Sequence, residues 1–149
     1  MRTARALVAL VAAAGALAAC SSDNKDPTAA GASGTVTVRM TDNVYSPATI
    51  TAKAGQRVTF KFVNDGKLAH EAFIGDAKAQ SDHAAEMGAM GDMGDHGSMH
   101  MGSDDGPVKV EPGKTGELTH TFDKAGTVLI GCHQPGHYES GMKATVDVN

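Results

Sequence analysis

At 149 residues the chain has room for one domain with extensions. Its 13 Lys and Arg stand against 17 Asp and Glu, a formal net charge of −4, and an acidic balance argues against nucleic acid as a partner. Two cysteines, eight methionines, seven histidines and no tryptophan complete an inventory that is poor in aromatic core formers and rich in soft side chains.

In chain order, Arg2 and Arg5 form a short basic region, and Leu7 to Ala19 an apolar, Ala-rich run. The run is too short for a comfortable bilayer span and ends in small residues, which predicts an export signal over residues 1–19. Leu17-Ala18-Ala19-Cys20 resembles the lipobox of bacterial lipoproteins. That resemblance implies cleavage before Cys20, lipid on its sulfur, and a protein anchored to a bacterial membrane on an extracytoplasmic face. Exported chains ordinarily pair their cysteines. With Cys20 lipidated, Cys132 has no partner, and a metal is the natural occupant of a lone thiol in an oxidising compartment.

From Ser21 to Ser33 the chain is almost entirely Ser, Asp, Asn, Pro, Ala and Gly, with Lys25 and Thr28, so residues 20–34 read as a flexible tether. Thr35 to Met40 alternates strictly and predicts a strand with Val36, Val38 and Met40 on one face. Tyr45-Ser46-Pro47 reads as a turn and Thr49-Ile50-Thr51 as the start of another strand. Arg57 to Val63 follows the Ala54-Gly55-Gln56 turn, with Val58, Phe60 and Phe62 pointing one way. Asn64-Asp65-Gly66 is a turn signal, after which His70 falls in a loop-to-strand transition. Gly116 to Phe122, Thr127 to Cys132 and Lys143 to Val148 complete the strands. Short β-rich runs, polar turns and no convincing amphipathic helix predict an all-β Greek-key sandwich over residues 35–149.

Residues 76–105 do not fit that pattern. They carry His83, Met87, Met90, Met93, His96, Met99, His100 and Met101 among Gly, Asp and Ala. Ser81 to Met90 has some helical character, but Gly88, Gly91, Gly94 and Gly97 disfavour a stable helix, and the segment reads as a mobile insertion between two strands. Solvated loops avoid methionine. Thioethers suit Cu(I) and imidazoles Cu(II), so these eight residues are candidates for secondary copper capture or loading.

The strongest chemical signal is Cys132-His133-Gln134-Pro135-Gly136-His137-Tyr138-Glu139-Ser140-Gly141-Met142, a C-x4-H-x4-M loop between two strands. A thiolate, an imidazole and a thioether on one loop, with a second imidazole from elsewhere, form the donor set of a blue-copper site. His70 is placed to supply that second imidazole. The stretch from Tyr45 through Gly55, Val58 to Asn64, His70 and the Cys132–Met142 loop resembles the cupredoxins, and the loop spacing resembles rusticyanin and related bacterial plastocyanin-like domains. The resemblance implies a type 1 copper centre with His70, Cys132 and His137 equatorial and Met142 a weak axial ligand. It further implies a monomer that transfers single electrons, with a redox partner protein. The alternative is copper capture, buffering or delivery to a transporter or an immature oxidase, drawing on the insertion.

Two neighbours of the ligands bear on this reading. Cys132-His133-x3-His137 is also similar to the last domain of multicopper oxidases, but Gly131 precedes Cys132 and no His-x-His pair occurs. An oxidase also needs more domains than this length holds, so the chain is not expected to be an enzyme, and His133 reads either as a surface-side residue or as one packed behind the ligands. Glu71 follows His70 where many cupredoxins have a small or amide side chain, which leaves the hydrogen bonding around the Cys132 sulfur open. His120, alternating with Leu118 and Phe122, reads as a half-buried strand residue.

Overall fold

The computed structural model describes residues 28–29, 34–90 and 106–149. Two sheets face each other. One has strand order β3-β2-β5-β8, from β2 (Gly34–Thr41), β3 (Val44–Ser46), β5 (Gln56–Asn64) and β8 (Thr115–Phe122). The other has order β1-β4-β10-β9-β6-β7, from β1 (Thr28–Ala29), β4 (Thr49–Ala52), β6 (His70–Gly75), β7 (Val108–Val110), β9 (Gly126–Gly131) and β10 (Lys143–Val148). The expected β-sandwich is the architecture found.

Period-two alternation explains the core. In β2, Val36, Val38 and Met40 are buried while Thr35, Thr37 and Arg39 are exposed, and β5 buries Val58, Phe60 and Phe62 on the same side. The two strands run parallel, with Val36 opposite Phe60 and Val38 opposite Phe62. Phe60 lies opposite Leu118 of antiparallel β8. Ala144, Val146 and Val148 of β10 and Ile50 and Ala52 of β4 close the core from the other sheet. His120 is half-buried on β8, as its alternation suggests.

Three local expectations are corrected. Tyr45 lies in β3 rather than in a turn, is buried, and donates its hydroxyl to the Glu71 carbonyl. Within the expected tether, Thr28–Ala29 pairs in parallel with Ile50 and Thr51 of β4. The third correction concerns the insertion, which begins with an ordered helix, α1 (Ala77–Met90).

Asp76 caps that helix: its carboxylate accepts from the Ala79 amide at 2.8 Å, satisfying an otherwise orphaned first-turn donor. The helix survives its glycine because its inward residues are polar and bonded to the sheet, a source of stability that propensity does not register. It also explains β6, where His70, Glu71 and Ala72 are buried in succession. A strand covered on both faces does not alternate. Residues 1–27, on which the expected export signal and Cys20 fall, residues 30–33, and residues 91–105, with Met93, His96, Met99, His100 and Met101, lie outside the described residues.

Candidate metal centre

The candidate ligands converge at one end of the sandwich because three chain segments finish there. Asn64, the last residue of β5, organises the approach to His70. Its side-chain amide donates to the carbonyls of Leu68 and Val110, both at 2.8 Å, and its oxygen accepts from the Gly66 amide at 2.9 Å. The Asn64-Asp65-Gly66 turn is thereby fixed on both sides, and His70 enters β6 at full burial. Cys132 follows β9 directly. Its amide donates to the Met142 carbonyl at 3.2 Å, and the Met142 amide donates to the His137 carbonyl at 3.0 Å. The loop is thus pinned at its beginning, middle and end. Gly141 takes a φ of +96°, a conformation that needs glycine, and turns the chain so that Met142 points into the core.

The donor atoms of His70, Cys132 and His137 all lie within 4.8 Å of one another. Cys132 Sγ is 3.4 Å from His137 Nδ1 and 4.0 Å from His70 Nδ1, and the two imidazole centroids are 5.1 Å apart. Cys132 is a buried free thiol. Met142 is fully buried beside it in the core cluster, whereas His137 is half-exposed. The other nitrogen of His70, Nε2, is buried and has no hydrogen-bond partner.

Electrostatics keep the Cys132 thiol and the His70 imidazole uncharged without a metal. Burial pushes the Cys132 thiol above its ordinary range, opposed in part by the amide N–H groups of Glu71 and Gln134. Burial, and then His137, hold the His70 imidazole below its ordinary value, with Asp42 acting the other way. Near neutral pH this is a neutral thiol beside a neutral imidazole. Such a cluster would release a proton when the sulfur becomes a ligand.

The donor set fits copper. One soft thiolate, two borderline imidazoles and a nearby thioether match the trigonal site with a weak axial ligand that copper favours. The mutual distances allow one ion to touch all three strong donors. Rigid strand ends hold them there, and no second thiol among the described residues competes for Cys132.

The remaining candidates are placed differently. His83 lies inside the fold, its Nε2 donating to Glu71 Oε1 at 3.0 Å. Met87 is partly exposed on α1, at the rim of a cleft that α1 shares with residues 133–136, Tyr138 and Glu139 of the ligand loop. Met90 ends the helix. Of the two positions open to His133 the buried one is found: it lies beneath α1, with its Nε2 donating to Gln80 Oε1 at 2.8 Å. Gln80 was not anticipated at all, although Asp76 before a run of good helix formers is an N-cap signal that predicts its helix.

A two-sheet sandwich with a His-Cys-His cluster at one end, over a methionine-terminated loop, defines a small β protein whose described residues include a cluster able to hold a metal ion. The chain belongs to the cupredoxin-like domain family, whose pattern matches residues 7–87 and so takes in His70. It is 37% identical over 146 residues to the copper-resistant cuproprotein CopI of Pseudomonas aeruginosa, covering 83% of this chain and 81% of that one. It is 41% identical over 121 residues to the copper-resistant cuproprotein CopI of Rubrivivax gelatinosus, covering 80% and 69%. Among solved structures, the reduced auracyanin of Roseiflexus castenholzii superposes with a TM-score of 0.65 at 24% identity, over 80% of this chain and 99% of that one. The azurin of Methylomonas sp. strain J gives 0.59 at 19% identity, over 77% and 97%. At these identities the two structures bear on the fold alone.

Proposed function

We propose that this protein binds one copper ion through His70, Cys132, His137 and Met142, and serves copper tolerance outside the cytoplasm, tethered to a membrane through Cys20. The observation that carries this reading is the convergence of three donor atoms within 4.8 Å around a buried, unpaired thiol. The relatives support the physiological half, because both are named copper-resistant cuproproteins. Copper bound there would supply a one-electron couple. The chain's part is to hold the donors on strand ends, exclude water from Cys132 and Met142, and leave only the edge of His137 toward solvent. Such a protein is a binder, not an enzyme, and it needs no second copy to complete its site.

A second reading, one-electron transfer to a protein partner, is favoured by the half-exposed His137 beside a fully buried thiol, since that imidazole is a short route outward. Growth of a copper-sensitive bacterial host exporting the full chain decides between the roles. Tolerance conferred by the parent and lost in Cys132→Ser supports copper handling. Equal growth of the parent, Cys132→Ser and empty-vector strains, with the parent still exchanging electrons rapidly in vitro, refutes tolerance and leaves electron transfer.

A further inference from the structure

A second group of buried polar side chains lies directly behind the donors. Glu71, Gln80, His83 and His133 are respectively 5%, 1%, 8% and 7% exposed. Glu71 is the residue after His70, and His133 the residue after Cys132. Both side chains are held by α1: His83 Nε2 donates to Glu71 Oε1, and Gln80 Oε1 accepts from His133 Nε2.

The orientation of Gln80 is fixed by its surroundings. Its amide nitrogen donates to the carbonyls of Phe73 at 3.1 Å, Leu129 at 3.0 Å and, more weakly, Gly75 at 3.4 Å. Three acceptors around one end of the amide place nitrogen there, which turns the oxygen to His133 and makes His133 Nε2 the donor. The close approach needs glycine on the sheet, since a Cβ on Gly131 would sit 2.3 Å from Gln80 Oε1. Ring packing completes the clamp. His83 stacks on Phe73 with centroids 4.3 Å apart and meets His133 edge-on at 4.9 Å, and His133 stacks on Tyr138 of the ligand loop at 4.5 Å.

The consequence for the site runs through one peptide group. The Glu71 amide donates to Cys132 Sγ at 3.4 Å. An N–H directed at the sulfur withdraws charge from a thiolate ligand, favours the reduced metal, and is one of the levers that sets the potential of such centres. Where that N–H points depends on Glu71. Its carboxylate oxygen Oε2 is buried without a partner, and Oε1 has His83. Without His83 the carboxylate would be buried with neither oxygen satisfied, a condition that drives a side chain toward water and carries its peptide with it.

We propose that His83 is a positioning residue for the metal centre: by holding the Glu71 carboxylate from α1, it aims the Glu71 N–H at Cys132 Sγ, with Gln80 docking the helix that carries it. This rests on the reading that copper binds at His70, Cys132 and His137. The test compares the full chain with His83→Ala, His83→Gln and His83→Asn, and with Lys78→Ala on the exposed side of the same helix. The readouts are copper per chain, the position and relative intensity of the thiolate-to-copper bands, and the reduction potential.

His83→Ala should retain one copper per chain with shifted bands and a lowered potential. His83→Gln, whose amide can still reach Glu71, should recover part of the shift. His83→Asn, one methylene shorter, should not, and Lys78→Ala should match the parent. Bands and potential in His83→Ala equal to the parent's overturn the proposal. If His83→Ala does not fold, the Gln and Asn variants decide it, and identical spectra for those two overturn it. A parent protein without any thiolate-to-copper band refutes the copper reading instead. The clamp is then judged on the metal-free protein by labelling of Cys132: faster in His83→Ala than in Lys78→Ala supports it, and equal rates refute it.

Discussion

Replacing Gln80 with alanine gives a sharp test of α1 as part of the folded domain. The side chain is 1% exposed and takes part in four hydrogen bonds, to the carbonyls of Phe73, Gly75 and Leu129 and from His133. A buried hydrogen bond contributes about 1 kcal/mol net, and leaving its partner unsatisfied raises the cost. The Gly75 contact is long and counts for little. Three effective bonds, with a small cavity where the amide was, give a loss of about 3–5 kcal/mol. Against a typical domain stability of about 5–15 kcal/mol, that is a large fraction. Urea unfolding of the metal-free protein should show a midpoint lowered by about 1–5 M, taking a slope of about 1–3 kcal/mol per molar. Lys78→Ala breaks only the pair with Asp82, whose side chains are 81% and 58% exposed, and should leave the midpoint where it was. A loss in Gln80→Ala below about 1 kcal/mol would mean that the helix is not anchored by these bonds.

Three further outcomes follow from the site. Copper affinity, measured by competition with a chelator, should rise by about tenfold per pH unit above neutrality, because the raised Cys132 pKa keeps the free thiol protonated and binding must release that proton. The rise should level off once the pH passes that raised pKa, and the lowered His70 pKa adds a second proton to the slope only in the acid range. Met142→Leu conserves volume in the core and should cost less than about 1.5 kcal/mol in stability, yet change the colour and raise the potential; an unchanged spectrum would make Met142 core and nothing more. Gly131→Ala places a methyl 2.8 Å from the Tyr138 ring as well as against Gln80, and should destabilise by about 1–3 kcal/mol in thermal unfolding.

The parts legible in the sequence were those whose signal is local. Alternation in residues 35–40 and 57–63 displays one buried face per strand, and the structure has those faces. The Cys132–Met142 loop is likewise readable because its candidate donors sit at short fixed spacings, and the structure brings His70 to Cys132 and His137 as a second imidazole requires. What escaped reading depends on contacts between distant segments. Helix α1 has an inward face made of Gln80 and His83, three positions apart, so a search for apolar periodicity passes over it. Glycine at position 88 then argues against a helix whose stability comes from bonds to β6 and β9. His133 could be read as surface or as buried behind the ligands because nothing near it in sequence covers it; α1 does. Tyr45 beside Ser46 and Pro47 has the composition of a turn, but its hydroxyl finds the Glu71 carbonyl across the sandwich, and burial follows.

The measurement closest to the central claim is the visible and paramagnetic spectrum of the full chain loaded with Cu(II), taken beside that of Cys132→Ser. A trigonal site with a thiolate donor predicts one copper per chain at the His70, Cys132 and His137 cluster, an intense thiolate-to-copper band in the parent, and loss of that band in the serine variant. Copper bound without such a band, or a band that survives Cys132→Ser, would contradict the account.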